Sequence, residues 1–234
     1  MDEIAFHTRT HRPGTILDVG AHDGLLTLPL ARLPGARVIA FEPLPSAHAR
    51  LAAACEGLPN VTLRREALGA AAGTLTLSVP VLDGRPAEQW ASLAKDYSAF
   101  ASVGTETFAV PVITLDSLNL DDATHLKMDA EGFEQEVLEG ARATLLRCRP
   151  VLSLELEERH RAGVTRDVPA LLAALGYETR FWLEGAMRPL AAFDAATMQV
   201  ASPDPAVFGA SDPYVFTFYA WPAERTAEVL AALT

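Results

Sequence analysis

The stretch Thr15-Ile-Leu-Asp-Val-Gly-Ala-His-Asp-Gly24 constrains the fold of this chain more than any other. Apolar residues, with Asp18 set among them, run into a loop closed by Gly20 and Gly24, and a leucine-rich segment follows at once. That order spells a buried strand, a tight turn and a helix. In an open α/β sheet, a turn at the carboxyl end of the first strand is where a nucleotide-like ligand binds.

Strand-like and helix-like patterns alternate through the rest of the chain. The first strand is predicted at 15–20, with a helix over about 24–33. Pro29 sits awkwardly in that helix and favours a longer loop with the proline near the first turn. Strands follow at 37–42 and 61–67, separated by an alanine-rich helix that Pro43 and Pro45 open and that runs to about Glu56. Strict alternation over 74–79 suits a half-exposed strand in an edge hairpin. Residues 80–109 are less periodic and read as an insertion or lid over the sheet; Trp90, Tyr97 and Phe100 there are candidates to line an acceptor pocket or to pack the insertion. Strands at 125–129 and 151–156 flank a helix over 133–147, whose apolar residues fall on one face. A helix from about Asp167, with that aspartate as its cap, a strand at 177–183, a strand at 214–219 and a last helix at 223–233 complete the pattern. The expected fold class is α/β: a doubly wound, mostly parallel, Rossmann-like sheet of about seven strands with one late strand antiparallel.

The 234 residues, half of them hydrophobic, suffice for one domain over 1–234 with a sizeable core. Lys plus Arg number 19 against 30 Asp plus Glu, a net charge of −11. That sign and the lack of a basic patch argue against a nucleic-acid partner. Cys55 and Cys148 suggest neither a disulfide framework nor a metal. The N-terminus has no signal-peptide pattern, and no run reaches the roughly 18 apolar residues of a membrane span. A soluble, cytoplasmic protein with a small-molecule partner and no membrane association is expected; a homodimer is left open.

The first turn reads Asp18-x-Gly20-x-x-x-Gly24, which is not the dinucleotide fingerprint. His22 stands where that fingerprint needs the glycine that lets the backbone approach a pyrophosphate. Asp18, Asp23 and Asp129 make the surroundings poor for a diphosphate and good for a cation. S-adenosylmethionine, a nucleoside with a sulfonium and an ammonium but no phosphate, fits. Glu42 ends the second strand 22 residues after Gly20, near the spacing at which an acid meets ribose hydroxyls. The bland alternative is an acid that caps the next helix.

The chain resembles the FkbM family of S-adenosylmethionine-dependent methyltransferases. The resemblance rests on Ile16–Gly24, Phe41-Glu-Pro43, Glu66-Ala-Leu-Gly69, Thr114-Leu-Asp-Ser-Leu118, Lys127-Met-Asp-Ala-Glu-Gly-Phe-Glu134 and Val137-Leu-Glu-Gly140. Their order and spacing match over about residues 14–157. The resemblance implies that Asp18, Gly20, His22, Asp23 and Gly24 hold the amino-acid part of the cofactor. It places Glu42, beside Pro43, on the ribose, and Glu66 and Ala67 around the adenine. It also supplies the acceptor class: a hydroxyl of a sugar, glycolipid or polyketide-like product. His22 departs from the family, which often has a small polar residue such as Asn there.

Lys127, Asp129, Glu131 and Glu134 cluster at the end of the fourth main strand. Asp129 and Glu131 are the candidate catalytic residues, placed to orient the acceptor or take its proton, and Asp129 also borders the cofactor. Glu155 and Glu157 share a strand face before His160, and with Asp129 could form an oxygen-rich Mg²⁺ site. Strand-end acids that cap or face solvent are commoner, so no metal is expected. His48 and His125 read as surface or packing residues. Two other function classes stay open: a nicotinamide-dependent oxidoreductase, which His22 disfavours, and a cofactor-binding protein without catalysis.

Overall fold

The structure is a computed structural model that describes residues 1–95, 97, 104–200 and 213–234. Helix α1 (Glu3–Arg9) comes first; Asp2 caps it by accepting from the Ala5 amide at 2.7 Å. Strand β1 (Gly14–Val19) is buried along its whole length. Then come α2 (Thr27–Leu30), β2 (Ala36–Phe41), α3 (Pro45–Ala54) and β3 (Val61–Arg64). Four strands follow in a row: β4 (Ala67–Leu68), β5 (Gly73–Leu82), β6 (Arg85–Pro86) and β7 (Gly104–Ile113). The remainder is β8 (Ala123–Met128), α4 (Glu134–Glu139), α5 (Arg142–Cys148), β9 (Val151–Glu155), α6 (Val164–Ala174), β10 (Tyr177–Leu183), β11 (Ala186–Pro189), α7 (Ala195–Met198), β12 (Thr217–Pro222) and α8 (Thr226–Leu233).

Among the described residues the main sheet has eight strands in the order β3-β2-β1-β8-β9-β12-β10-β11. Neighbours from β3 to β9 are parallel, and β12 runs antiparallel between β9 and β10. The expected doubly wound α/β sheet is therefore present, with a hairpin strand, β11, added at its edge. Chain order reverses between β1 and β8, and this is the point where such sheets bind ligands. Hydrophobic residues of the central strands pack against α4, α5 and α6 on one side. On the other side Ile16, Val38 and Ala40 meet Leu30 and Leu51. Among the described residues no helix is long and apolar enough to cross a membrane.

Several expectations need correction. Residues 61–67 are not one strand: β3 ends at Arg64, and the chain turns through Arg65 and Glu66 into β4, which belongs to a second sheet ordered β4-β7-β5-β6. The strand expected at 74–79 is the inner part of β5, which pairs with β7 from Gly73↔Val112 to Val81↔Gly104. Residues 80–82, 85–86 and 104–109 thus lie in this second sheet, while Phe100 falls outside the described residues. Proline-containing α2 is a single turn, in line with the awkward Pro29. Helix α6 starts before Asp167, because the cap comes from Glu158, whose carboxylate accepts from the Gly163 and Thr165 amides at 2.5 and 3.0 Å. Helix α1 and strand β11 carry no pattern that was recognised in the sequence.

The helix expected over 133–147 breaks at Gly140. A Cβ there would lie 2.0 Å from the Gly69 carbonyl oxygen, so the break lets the second sheet's connection touch helix backbone. Asp116 then caps α5 from outside, accepting from the Ala143 and Thr144 amides at 2.9 and 2.7 Å. Gly140→Ala should lower stability in urea denaturation by about 1–3 kcal/mol, the range for overpacking a tight contact. Gly73→Ala, where an added Cβ meets nothing within 4 Å, should stay within about 0.5 kcal/mol of the wild type.

Candidate active site

A cavity of about 360 Å³ opens over the carboxyl ends of β1, β2, β8 and β9, within the size range of small-molecule sites. Of the sequence-derived site residues, Gly20, His22, Glu42, Pro43, Ala67, Asp129 and Glu131 line it. Asp18, Asp23, Gly24 and Glu66 are placed elsewhere.

Asp18 is fully buried below the cavity. Thr27 Oγ1 donates to its Oδ2 at 2.5 Å, and Lys127 Nζ stands 3.6 Å from Oδ1. Asp23 faces outward and pairs with Arg50 at 2.7 Å. Glu66 is held back by Arg64, with bonds of 2.6 and 3.2 Å, so the side of the cavity at the end of β3 is formed by Ala67 and Leu68 instead. Gly24 turns the loop at φ +85°.

Gly20 has a specific reason to be glycine. Its φ is +72°, and a Cβ would sit 2.0 Å from the Asp129 carbonyl oxygen. The ends of β1 and β8 therefore touch backbone to backbone. Lys127 seals that contact from beneath: its Nζ donates to the carbonyls of Gly20 and Val19 at 2.7 and 3.2 Å and lies 3.9 Å from Asp129 Oδ2. Burial works against its charge, but Asp18, Asp129, Glu3 and Glu155 outweigh burial and raise its pKa.

Glu42 does two jobs. Its Oε1 accepts from the Leu44 amide at the start of α3, and its Oε2 accepts from the His22 amide, each at 2.8 Å. The helix-capping alternative is thus real, yet the carboxylate also lines the cavity and retains further acceptor sites. Burial raises its pKa, and the two amides oppose the rise.

On the opposite wall the turn after β8 carries the acidic cluster. Glu131 adopts φ +52°, which carries its chain through the tight turn before Gly132. Glu134 is buried and holds this turn, accepting from the Ala130 and Gly132 amides at 3.1 and 3.0 Å. Burial pushes both Glu131 and Glu134 up to about 7, with Lys95, 2.7 Å from Glu131 Oε2, opposing the rise for Glu131. Glu155 is pushed up to about 10 by burial and by the nearby charges of Asp129 and Glu131. Glu157, despite burial, is held down to about 2 by Arg159, which binds it through two nitrogens, and by the Tyr214 hydroxyl.

Some cavity residues were not singled out from the sequence. Glu3 reaches the cavity from α1 and accepts from Ser153 Oγ at 2.6 Å. Leu77, Glu88, Gln89, Ala91 and Leu93 come from the second sheet and the segment behind it. The alternation at 74–79 was the available signal for Leu77; nothing local marked Glu3. Trp90 is not in the cavity wall; its carbonyl accepts from the Tyr97 hydroxyl at 2.5 Å. His125 is buried near His7 and His11 and His48 is largely buried, which fits packing rather than ligation.

The pH dependence of stability carries a signature of Glu134. Its folded pKa lies above the ordinary 4.5, so between pH 4.5 and about 7 the native protein holds a proton that the unfolded chain releases. Its contribution therefore falls as pH rises through that window. The buried His7, His125 and His160 pull the other way but are common to a variant. The stability of Glu134→Gln relative to wild type should rise between pH 4.5 and 7 in urea titrations; a flat difference would remove Glu134 from the buried cluster.

The sequence matches the Methyltransferase FkbM domain over residues 18–179. No curated protein matches it. Among solved structures, a methyltransferase FkbM from Methylobacillus flagellatus KT is similar with a TM-score of 0.56 and 16% identity, over 89% of this chain and 44% of that one. This chain thus spans less than half the length of that protein. SMU.1697c, described as a methyltransferase from Streptococcus mutans in complex with SAH, is similar with a TM-score of 0.50 and 10% identity, over 93% and 94% of the two chains. These likenesses bear on the fold, which is that of class I methyltransferases. With that domain matched over more than half of the chain, the chain belongs to the FkbM methyltransferase family.

Proposed function

We propose that this chain transfers a methyl group from S-adenosylmethionine to a hydroxyl oxygen of a small-molecule acceptor, of the sugar, glycolipid or polyketide-like class. The observation that carries the reading is the cavity at the sheet's switch point, whose wall holds Glu3, Glu42, Asp129, Glu131 and Glu155 with Lys127 as counter-charge. Such a wall favours a cationic nucleoside over a dinucleotide diphosphate. The net charge of −11 supports a small molecule over nucleic acid as acceptor.

The residues divide the work along the cavity. Glu42, already fixed by two amides, would take the ribose hydroxyls. Ala67, Leu68, Leu77 and Phe133 would flank the base with apolar surface, and the Gly20–His22 backbone would border the amino-acid part. When bound, S-adenosylmethionine supplies an electrophilic methyl group on a sulfonium. Asp129 Oδ1 is buried and without a hydrogen-bond partner among the described residues. We assign it to the acceptor hydroxyl, whose oxygen it would orient and whose proton it would accept. Positioning of this kind can supply about 7–11 kcal/mol of barrier reduction.

Two variants test the division. Glu42→Ala should weaken S-adenosylhomocysteine binding about tenfold in calorimetry, the scale of one charged hydrogen bond. Unchanged affinity would leave Glu42 a cap alone. Asp129→Asn should lower kcat with acceptor more than it lowers cofactor affinity; the reverse split would move Asp129 to the cofactor side. The acceptor class is tested by mass spectrometry on hydroxylated sugars, glycolipids and polyketide-like products. Methyl transfer confined to nitrogen would overturn the reading.

A further inference from the structure

Beside the cavity, on the side away from Glu42, one side chain has no use for its surroundings as they stand. His160 lies just after β9, and its side chain is only 4% exposed. Its Nε2 has no hydrogen-bond partner among the described residues. That nitrogen faces Glu131 Oε2 and Glu157 Oε1, each at 3.4 Å, too poorly aligned to be bonded to either. Glu157 is fully engaged by Arg159 and Tyr214. Glu155, which shares a hydrogen bond with Glu157, and Glu131, which Lys95 binds, each still offer a carboxylate oxygen which, with a ring nitrogen of His160, forms a set lying within 4.8 Å of one another. A buried nitrogen left unpaired costs free energy, and three ligating atoms converging on one point can be satisfied together by a cation.

We propose that Glu131, Glu155 and His160 form a binding site for one divalent transition-metal cation. The donor set selects the ion class. One imidazole nitrogen with two carboxylates suits Mn²⁺ or Zn²⁺, whereas Mg²⁺ prefers oxygen donors throughout. Lys95 Nζ, 2.7 Å from Glu131 Oε2, holds part of this charge in the cation's place. It sits at the edge of the segment joining the second sheet, and it acts as an internal competitor that the metal displaces. Glu131 and Glu155 also line the cavity, beside Asp129. A cation here leaves coordination positions open toward the acceptor, where two neighbouring oxygens of a polyhydroxylated molecule would chelate it. That role rests on the proposed O-methylation; the cation site itself does not.

The test is calorimetry of the full chain, stripped of metal, with MnCl₂ and without S-adenosylmethionine. One Mn²⁺ per chain should bind, with His160→Gln and Glu155→Gln each weakening binding at least about tenfold and Lys95→Ala tightening it. The electron paramagnetic resonance of the bound Mn²⁺ should show a nitrogen coupling that His160→Gln abolishes. Two results would overturn the proposal: no saturable binding by wild type and Lys95→Ala at millimolar Mn²⁺, or binding that folded His160→Gln and Glu155→Gln leave unchanged. Thermal unfolding verifies that the variants are folded, and Lys95→Ala keeps the test decisive if they are not. Separate titration with S-adenosylhomocysteine distinguishes failure of this site from failure of the cofactor reading.

Discussion

A buried ammonium holds the centre of this molecule. Lys127 lies at the carboxyl ends of two paired parallel strands, bonded to the carbonyls of Val19 and Gly20 and facing Asp18 below and Asp129 above. A lone charge in that position would be costly to bury, and so would Asp18 without it. Each makes the other tolerable, and the pair fixes the separation of β1 and β8. Everything that borders the cavity hangs from those two strand ends: the glycine turn on one side, the acidic turn on the other. Glu42 then ties the second strand to the same turn through the His22 amide.

The motif residues that mark the family serve mainly to build this frame, and fewer of them touch the cavity. Asp18 supports Lys127. Asp116 caps a helix it does not belong to, and Glu134 is spent on two amides of the turn before it. Glu42, Asp129 and Glu131 face the space itself. A motif dense in acids thus divides into those that shape the backbone, as Asp18, Asp116 and Glu134 do, and those that line the cavity, with Glu42 doing both.

Much of the fold was legible because the central strands are apolar runs punctuated by glycine and proline, a pattern read locally. The switch point, the Glu42 position and the antiparallel late strand all follow from it. What escaped was non-local. Nothing in 61–67 says that Ala67 leaves one sheet for another; β4 exists only because β7, more than thirty residues later, pairs with it. Asp167 stands at the offset expected of the α6 cap, but Glu158 reaches forward over five residues to take that role. Glu66 carries the motif yet turns toward Arg64, a neighbour two positions away whose guanidinium binds it through two nitrogens. His160 was noted as an acid's neighbour, and only its burial shows that its nitrogen is stranded. Side-chain direction and distant pairing leave little trace in composition or period.

The contact between Gly69 and Gly140 joins the second sheet to the helical layer, and Phe133, in the cavity wall, stands 3.1 Å from where a Gly69 side chain would begin. The width of the apolar slot beside Ala67 is therefore governed by two positions that meet no ligand. A Cβ on Gly140 would run into the Gly69 carbonyl and a Cβ on Gly69 into Val112 and Phe133, so neither position can gain a side chain unless its neighbours move. A wider slot would then come from a shift of the segment carrying Gly69 against the helical layer, a change of packing that alters the cavity's shape without altering a residue in its wall.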